Sequence, residues 1–335
     1  MATIKTLTAV SKLSKYCGFT KLCYFLNRNK KRVIAYHNIM PDNMFDDSIH
    51  LEHSTRESSF IKHIKVIKKK FNIDLDIENK KTVTVTFDDG YLNQYEIASK
   101  IMDKFNSNGY FFLVESLINN KKIIPIDIIQ FWISYVHEGV YNIKEINFLM
   151  EINNKNRREV WESLSKKILE DNIDLDEIII HLDNLYPIKK LINSNIRSYK
   201  LRLEPIGKDE IQQMKKNGHI IGAHSSNHKR LSTLKKNELD EDIKKCNDMI
   251  GVLYNTKTFC YPYGSIQDIS EEVITALKKY NFKRAFSYSN SPIVNYEYND
   301  FFIPRMYLPD TEDKDLIEFV ISGAKHMITF RKKLP

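Results

Sequence analysis

The chain has 335 residues, 42% hydrophobic and 28% charged, ordinary for a folded soluble protein and enough for one large domain or two small ones. No apolar run is long enough to span a bilayer. The four cysteines, Cys17, Cys23, Cys246 and Cys260, form no CxxC pair and no disulfide-dense pattern, as expected of scattered thiols in a reducing compartment.

The net charge of +8 is the excess of 51 basic over 43 acidic residues, and all of it sits in the first 32 residues, which hold eight Lys and Arg and no acid. Residues 1–31 therefore read as a basic arm. Leu7, Val10, Leu13, Tyr16, Cys17, Phe19, Leu22 and Phe25 recur at roughly helical spacing, which predicts an amphipathic helix. Lys12 and Lys15 interrupt the apolar core that a secretory signal needs, so no cleavable signal peptide is read and a cytoplasmic location is expected. Two readings of the arm stay open. It is either a helix packed on the main domain with its lysines in water, or a peripheral membrane contact drawn to anionic lipid. Nucleic-acid binding has less support, because no nucleic-acid fold signature accompanies the charge.

Beyond the arm, strand-like and helix-like segments alternate. Strands are predicted at Arg32–His37, Val83–Phe87, Tyr110–Val114, His219–His224, Lys257–Tyr261, Arg284–Ser289 and Phe301–Leu308. Helices are predicted over Leu92–Phe105, Asp209–Lys216, Glu238–Leu253, Ser270–Tyr280 and Ile317–Phe330. From about 116 to 205 the rhythm breaks. Helices are predicted there at Asp127–His137, Ile143–Asn153, Arg157–Glu170 and Leu175–Leu185, with no strand among them, so 116–205 reads as a helical insertion. Its aromatics Phe131, Trp132, Tyr135 and Trp161 read mostly as core, although an insertion after a barrel strand can also shape a substrate site. Alternation of this kind predicts parallel strands with helices outside. Seven strands favour an α/β barrel of the (β/α)7 type, built from residues 32–115 and 206–335, with its active site at the strands' C-terminal ends.

Two motifs lie at such ends. Val83–Phe87 alternates β-branched and aromatic residues and then runs into Asp88-Asp89-Gly90. Adjacent carboxylates are costly to bury as like charges, and a bound cation is the usual remedy. His224 and His228, four residues apart at another strand end, are the usual partners for holding one. Together they predict a metal site of one Asp and two His, with the other Asp left free as a base. His50, His53, His63, His137, His181 and His219 show no ligand-like spacing to this pair, and Asp240 and Asp242 read as the solvated side of a helix.

Thr86-Phe87-Asp88-Asp89-Gly90-Tyr91, then His224-Ser225-Ser226-Asn227-His228, then Tyr261-Pro262-Tyr263-Gly264 resembles the polysaccharide deacetylases, the NodB-homology enzymes of carbohydrate esterase family 4. The resemblance covers about residues 32–115 and 206–310. It implies a distorted (β/α) barrel that removes an acetyl group, usually the N-acetyl of a hexosamine, with a divalent metal, Zn first and Co or Ni as alternatives. It implies Asp89, His224 and His228 as metal ligands and Asp88 as general base. The Tyr263 N–H, after Pro262, would face the developing oxyanion.

The sequence departs from the common pattern at two points. No late Leu-x-His motif supplies a general acid, but Tyr36-His37-Asn38-Ile39-Met40-Pro41 resembles the opening of a subset of the family. That makes His37 the candidate acid, its pKa expected to be raised by the neighbouring carboxylates. Cys260 occupies the position where the common third motif has an Arg that orients the catalytic Asp, and Arg305 on the last strand is the candidate replacement. Cys260 itself reads as a small buried residue. The expected substrate is an N-acetylated carbohydrate. An O-acetyl esterase and an inactive glycan-binding relative are the alternatives.

Overall fold

The computed structural model describes residues 4–45, 53–171, 173–253, 257–288 and 299–329. Ser289, Phe330 and His50, which the sequence reading touched, lie outside them. All seven predicted strands form: β1 Arg32–Tyr36, β2 Thr82–Phe87, β3 Tyr110–Leu113, β4 Ile220–Ala223, β5 Thr258–Cys260, β6 Arg284–Phe286 and β7 Met306–Tyr307. They pair in parallel in the order β6-β5-β4-β3-β2-β1-β7.

The seventh strand is shorter than its sequence pattern because its two halves serve different neighbours. Met306 and Tyr307 pair with Ile34 and Ala35 of β1. Upstream, Ile303 bridges Phe286 of β6, and its N–H donates to the Ala285 carbonyl at 3.0 Å. One segment thus spans both edges of the sheet and closes it, irregularly, into a (β/α)7-type barrel. Alternating side chains sort to two sides. Val33, Tyr110, Phe112, Cys260, Phe286 and Ile303 form one cluster, the barrel interior. Ile34, Val85, Phe111 and Leu113 join the larger cluster beneath the outer helices.

Register brings the chemistry together. Tyr36 lies opposite Phe87, Leu113 opposite Ala223, and Cys260 opposite Phe286. The residue after each of these ends emerges at one rim, which gathers His37, Asp88, His224 and Tyr261.

The arm forms two helices, Ile4–Tyr16 and Phe19–Leu26, broken at Gly18 where φ is 76°. The first packs along the helix Lys314–Ile321, with Leu7 and Val10 against the core and Lys15 paired to Asp315, and the second packs against Ala324–Thr329. The predicted C-terminal helix is likewise broken, at Gly323, into Lys314–Ile321 and Ala324–Thr329. No helix among the described residues is long and apolar enough to cross a membrane.

Between β3 and β4 the chain builds a second hydrophobic cluster around Trp132, Trp161, Leu164, Ile178 and Leu182. Helices Arg157–Glu170 and Leu175–Leu185 fall where predicted. The expected helix Ile143–Asn153 does not exist. Gly139–Ile143 and Phe148–Ile152 form an antiparallel hairpin instead, turned by Asn147 at φ 49°. Ile143, Met150 and Ile152 are its buried residues, and a short apolar run of that kind fits either period, so tertiary packing decided it.

Candidate active site

The Asp pair sits where β2 ends. The Asp88 N–H donates to the Tyr36 carbonyl at 3.1 Å, and the Asp89 carbonyl accepts from the Val114 N–H at 3.1 Å, tying the turn to β1 and to the end of β3. Gly90 is required here: its φ is 96°, and a Cβ would lie 2.9 Å from Leu113 Cδ2. Asp89 itself has φ 86°, and Ser225, His228 and Tyr263 also carry positive φ. Such backbone states cost free energy and persist where the surroundings over-determine them.

Asp88 is 1% exposed and held by Arg305 in a two-pronged ion pair, Nη1–Oδ1 and Nη2–Oδ2 both 2.7 Å. The guanidinium is fixed in turn by the Ser287 carbonyl and Thr86 Oγ1, each at 3.0 Å. Arg305 therefore orients Asp88 from the closing segment rather than from the third motif. Burial alone would raise the Asp88 carboxyl, but Arg305, aided by His224, holds it well below the usual carboxylate range. Cys260 is fully buried and its thiol is pushed well up by that burial, so it stands as a neutral packing residue.

Asp89, His224 and His228 converge. Asp89 Oδ1 lies 3.5 Å from His224 Nε2 and 3.6 Å from His228 Nε2, and the three candidate donor atoms fall within 4.8 Å of one another. His224 Nδ1 is 2.9 Å from the Cys260 carbonyl, which can only accept. The proton therefore sits on Nδ1 and the Nε2 lone pair faces Asp89, the tautomer a metal ligand needs. Burial lowers both imidazoles, His228 to about 3, so both are neutral at pH 7 and can bind a cation without first losing a proton. Asp89 is pushed well up by burial and then by the like charges of Asp127 and Asp88. A buried carboxylate set between two neutral imidazoles and like charges is a donor set that fits a divalent cation. A second grouping, Asp88 with His224 and Cys260, also brings donor atoms together. It fits less well, because Arg305 already occupies both Asp88 oxygens and the Cys260 thiol is protonated.

The loop carrying the histidines is held from below. His228 N–H donates to Ser225 Oγ at 2.7 Å and Ser226 N–H to Asp242 Oδ1 at 2.8 Å. This corrects the reading of Asp242 as a solvated helix residue: it is 5% exposed and pushed up to about 6 by burial. Its neighbour Asp240 does face outward, paired with Lys279 and Tyr280. Helical spacing could not separate the two, since the loop that turns Asp242 inward comes from elsewhere in the chain.

His37 caps β1 with Nε2 3.6 Å from Asp88 Oδ2. The expectation for its pKa is overturned. Burial, with His53 beside it, drives His37 well below 6.5 and outweighs the pull of Asp88, so the imidazole rests neutral. His53 was also misread. Strands Asn38–Met40 and Ser54–Arg56 pair in parallel and return the chain to the rim, setting the His53 ring 4.6 Å from that of His37. No sequence spacing reveals a return of that kind.

In the third motif Tyr263 has φ 60°, its ring lies 5.2 Å from that of His228, and nothing among the described residues accepts its N–H. Pro262 and Gly264 shape this turn, the Gly264 N–H donating to the Pro262 carbonyl at 2.6 Å. His37, Asp88, Asp89, His224, His228 and Tyr263 border one cavity of about 600 Å³, which also meets Asp127, Trp161 and Leu175 of the 116–205 segment.

The family profile described as polysaccharide deacetylase matches residues 184–286, a span that contains the histidine loop and the third motif but not the Asp pair. The matched segment is similar to the polysaccharide deacetylases. Solved structures share this deacetylase fold. The Streptococcus pyogenes deacetylase PplD in complex with acetate aligns with TM-score 0.55 and 12% identity, over 87% of this chain and 98% of that one. A polysaccharide deacetylase from Bacillus cereus gives 0.53 and 13%, over 87% and 69%. The de-N-acetylase from Aggregatibacter actinomycetemcomitans gives 0.50 and 14%, over 83% and 94%. A comparison with curated protein sequences returns no match.

Removing Arg305 strands a buried carboxylate. Arg305→Met is expected to cost about 3–5 kcal/mol, and adding Asp88→Asn should recover much of that stability. Urea unfolding of both variants checks this, and wild-type stability of the single variant would show that the pair is not what fixes Asp88.

Proposed function

We propose that this deacetylase domain removes the N-acetyl group of an amino sugar with the help of a divalent metal, Zn first. The observation that carries the reading is the meeting of Asp89, His224 and His228 beside an ionised, Arg-clamped Asp88 with His37 above it. Asp89, His224 and His228 would hold the metal, which when bound polarises an acetyl carbonyl and lowers the pKa of water.

The remaining work falls to the chain's own groups. Asp88 is ionised and takes a proton from the attacking water. Its proton affinity is kept low by Arg305, so it hands the proton on rather than keeping it, and neutral His37 at 3.6 Å is the next acceptor. The new C–O bond forms as the carbonyl oxygen takes up negative charge, and the Tyr263 N–H, which no described residue accepts, would donate to it. When the C–N bond breaks, His37 returns the proton to the amine and acetate leaves. The same groups could open an O-acetyl ester, whose alkoxide can depart before it is protonated. The buried His37 is the feature favouring the amide, since an amine leaves only when protonated.

Metal analysis by mass spectrometry is expected to find about one ion per wild-type chain and none in His224→Ala, with Asp88→Asn keeping its metal but releasing no acetate from N-acetylated sugars. Absence of metal from wild type after incubation with Zn or Co would defeat the reading, as would faster release from O-acetyl than from N-acetyl substrates for its amide part. His37→Ala should lower kcat by about 10²–10⁴ at unchanged metal content. A near-normal kcat would assign the proton relay elsewhere.

We also propose that the arm touches an anionic membrane surface. Docked as it is, it leaves Leu13 66%, Leu22 50% and Phe25 60% exposed, beside Met327 and Ile328 of the last helix, in the stretch of chain that holds all the excess positive charge. Apolar side chains framed by lysines suit a lipid interface. Leu22→Glu with Phe25→Glu is expected to abolish flotation with vesicles containing phosphatidylglycerol while leaving the melting temperature unchanged. Equal flotation of variant and wild type would remove the membrane contact.

A further inference from the structure

The catalytic groups account for only one side of the cavity. The opposite wall belongs to the 116–205 segment and consists largely of hydrocarbon: Ile126, Trp161, Ile168, Ile173 and Leu175. Trp161 and Ile168 are nearly buried in that segment's own cluster, while Ile173 and Leu175 are partly open. Each of the polar side chains on this wall has one partner within the protein. Ser165 Oγ donates to the Glu162 carbonyl of its own helix at 3.1 Å, Gln130 Oε1 accepts from Arg202 at 2.8 Å, and Asp127 Oδ2 accepts from Tyr91.

Sugar rings carry hydroxyls that lose hydrogen bonds when they enter such surroundings. A tryptophan can stack on a sugar face, but isoleucine and leucine offer only dispersion and the exclusion of water. A volume of about 600 Å³ exceeds the needs of a single amino sugar and lies within the usual range of a whole ligand site. A polymer crossing the site would need polar partners on both sides of the catalytic centre, and this side supplies hydrocarbon.

We propose that the insertion wall is a subsite for a hydrocarbon chain, so that the substrate is an amino sugar joined to a lipid rather than the interior of a glycan polymer. This rests on the deacetylase reading. Acyl and isoprenoid chains share the chemistry the wall recognises, and the test separates them.

The probes are the methyl, butyl and octyl glycosides of N-acetylglucosamine and one terpenyl glycoside, each used below its micelle limit. Calorimetry measures binding, and acetate release is followed in parallel. Affinity is expected to rise on the order of tenfold for each two methylenes added. Ile173→Ser with Leu175→Ser should erase that rise while leaving binding of the methyl glycoside unchanged, measured below the variant's melting temperature. A terpenyl glycoside bound more tightly than a linear chain of equal carbon number would mark an isoprenoid carrier, and the reverse an acyl lipid.

An octyl glycoside that binds no better than the methyl one overturns the proposal, including the case where neither binds. So does a double variant that keeps the octyl advantage, or an affinity that climbs with added sugar units in place of methylenes. Acetate released equally from all chain lengths would uphold the deacetylase and defeat the lipid subsite. Chain-dependent binding without any acetate release would do the opposite.

Discussion

Burying two adjacent carboxylates at one strand end is the constraint around which the rest of this structure is arranged. Asp88 and Asp89 repel each other in a region from which water is largely excluded, and each is relieved by a different partner. Asp88 is neutralised inside the protein by Arg305, whose side chain is wholly buried and bonded at Nε, Nη1 and Nη2. Asp89 faces two neutral imidazoles and stays pushed up by its own burial and by its like-charged neighbours. The asymmetry separates the two carboxylates: Asp88 is held ionised by a clamped guanidinium, and Asp89 is pushed toward its protonated form, which is the basis for proposing the first as proton carrier and the second as metal ligand. Placing Arg305 on the closing strand also makes barrel closure and the ionisation of Asp88 a single structural fact.

Much of the architecture was legible because barrel strands are local signals. Val83–Phe87 and Tyr110–Val114 alternate and end at turn residues, and short parallel strands of that kind need little context to recognise. Closure was not legible, since the same short segment pairs with β6 through Ile303 and with β1 through Met306. The site split along the same line. Asp88, Asp89, His224 and His228 announce themselves by adjacency and spacing. His53 and Asp242 do not, because each reaches the site through a contact distant in sequence: His53 by the return of a parallel strand pair, Asp242 by accepting a loop N–H sixteen residues away. The hairpin at 139–152 failed for a plainer reason, since apolar residues at 143, 146 and 150 satisfy helical spacing as well as they satisfy a strand.

His37 shows why chemical type and position do not settle a protonation state. A histidine next to a carboxylate is expected to hold its proton, but the neighbour here is already satisfied by a guanidinium and a second imidazole crowds the other face. Burial then decides, and the ring rests neutral. A neutral ring can accept a proton early in a reaction and return it later, which a permanently charged one cannot do.

The insertion is registered to the catalytic turn rather than merely set beside it. Tyr91, directly after the Asp-Asp-Gly turn, donates to Asp127 of the insertion and bridges Pro205 at its exit. The Leu92 N–H donates to the Glu204 carbonyl at 2.8 Å and the Ile206 N–H to the Gly90 carbonyl at 2.9 Å. Three bonds within three residues of Asp89 therefore fix where the insertion leaves and re-enters the barrel. The insertion's wall of the cavity and the Asp-Asp-Gly turn on its floor are thereby tied to each other. A change in the insertion's packing should reach Asp89 through Tyr91, so on the proposed reading substrate selectivity and turnover would be coupled by the backbone itself.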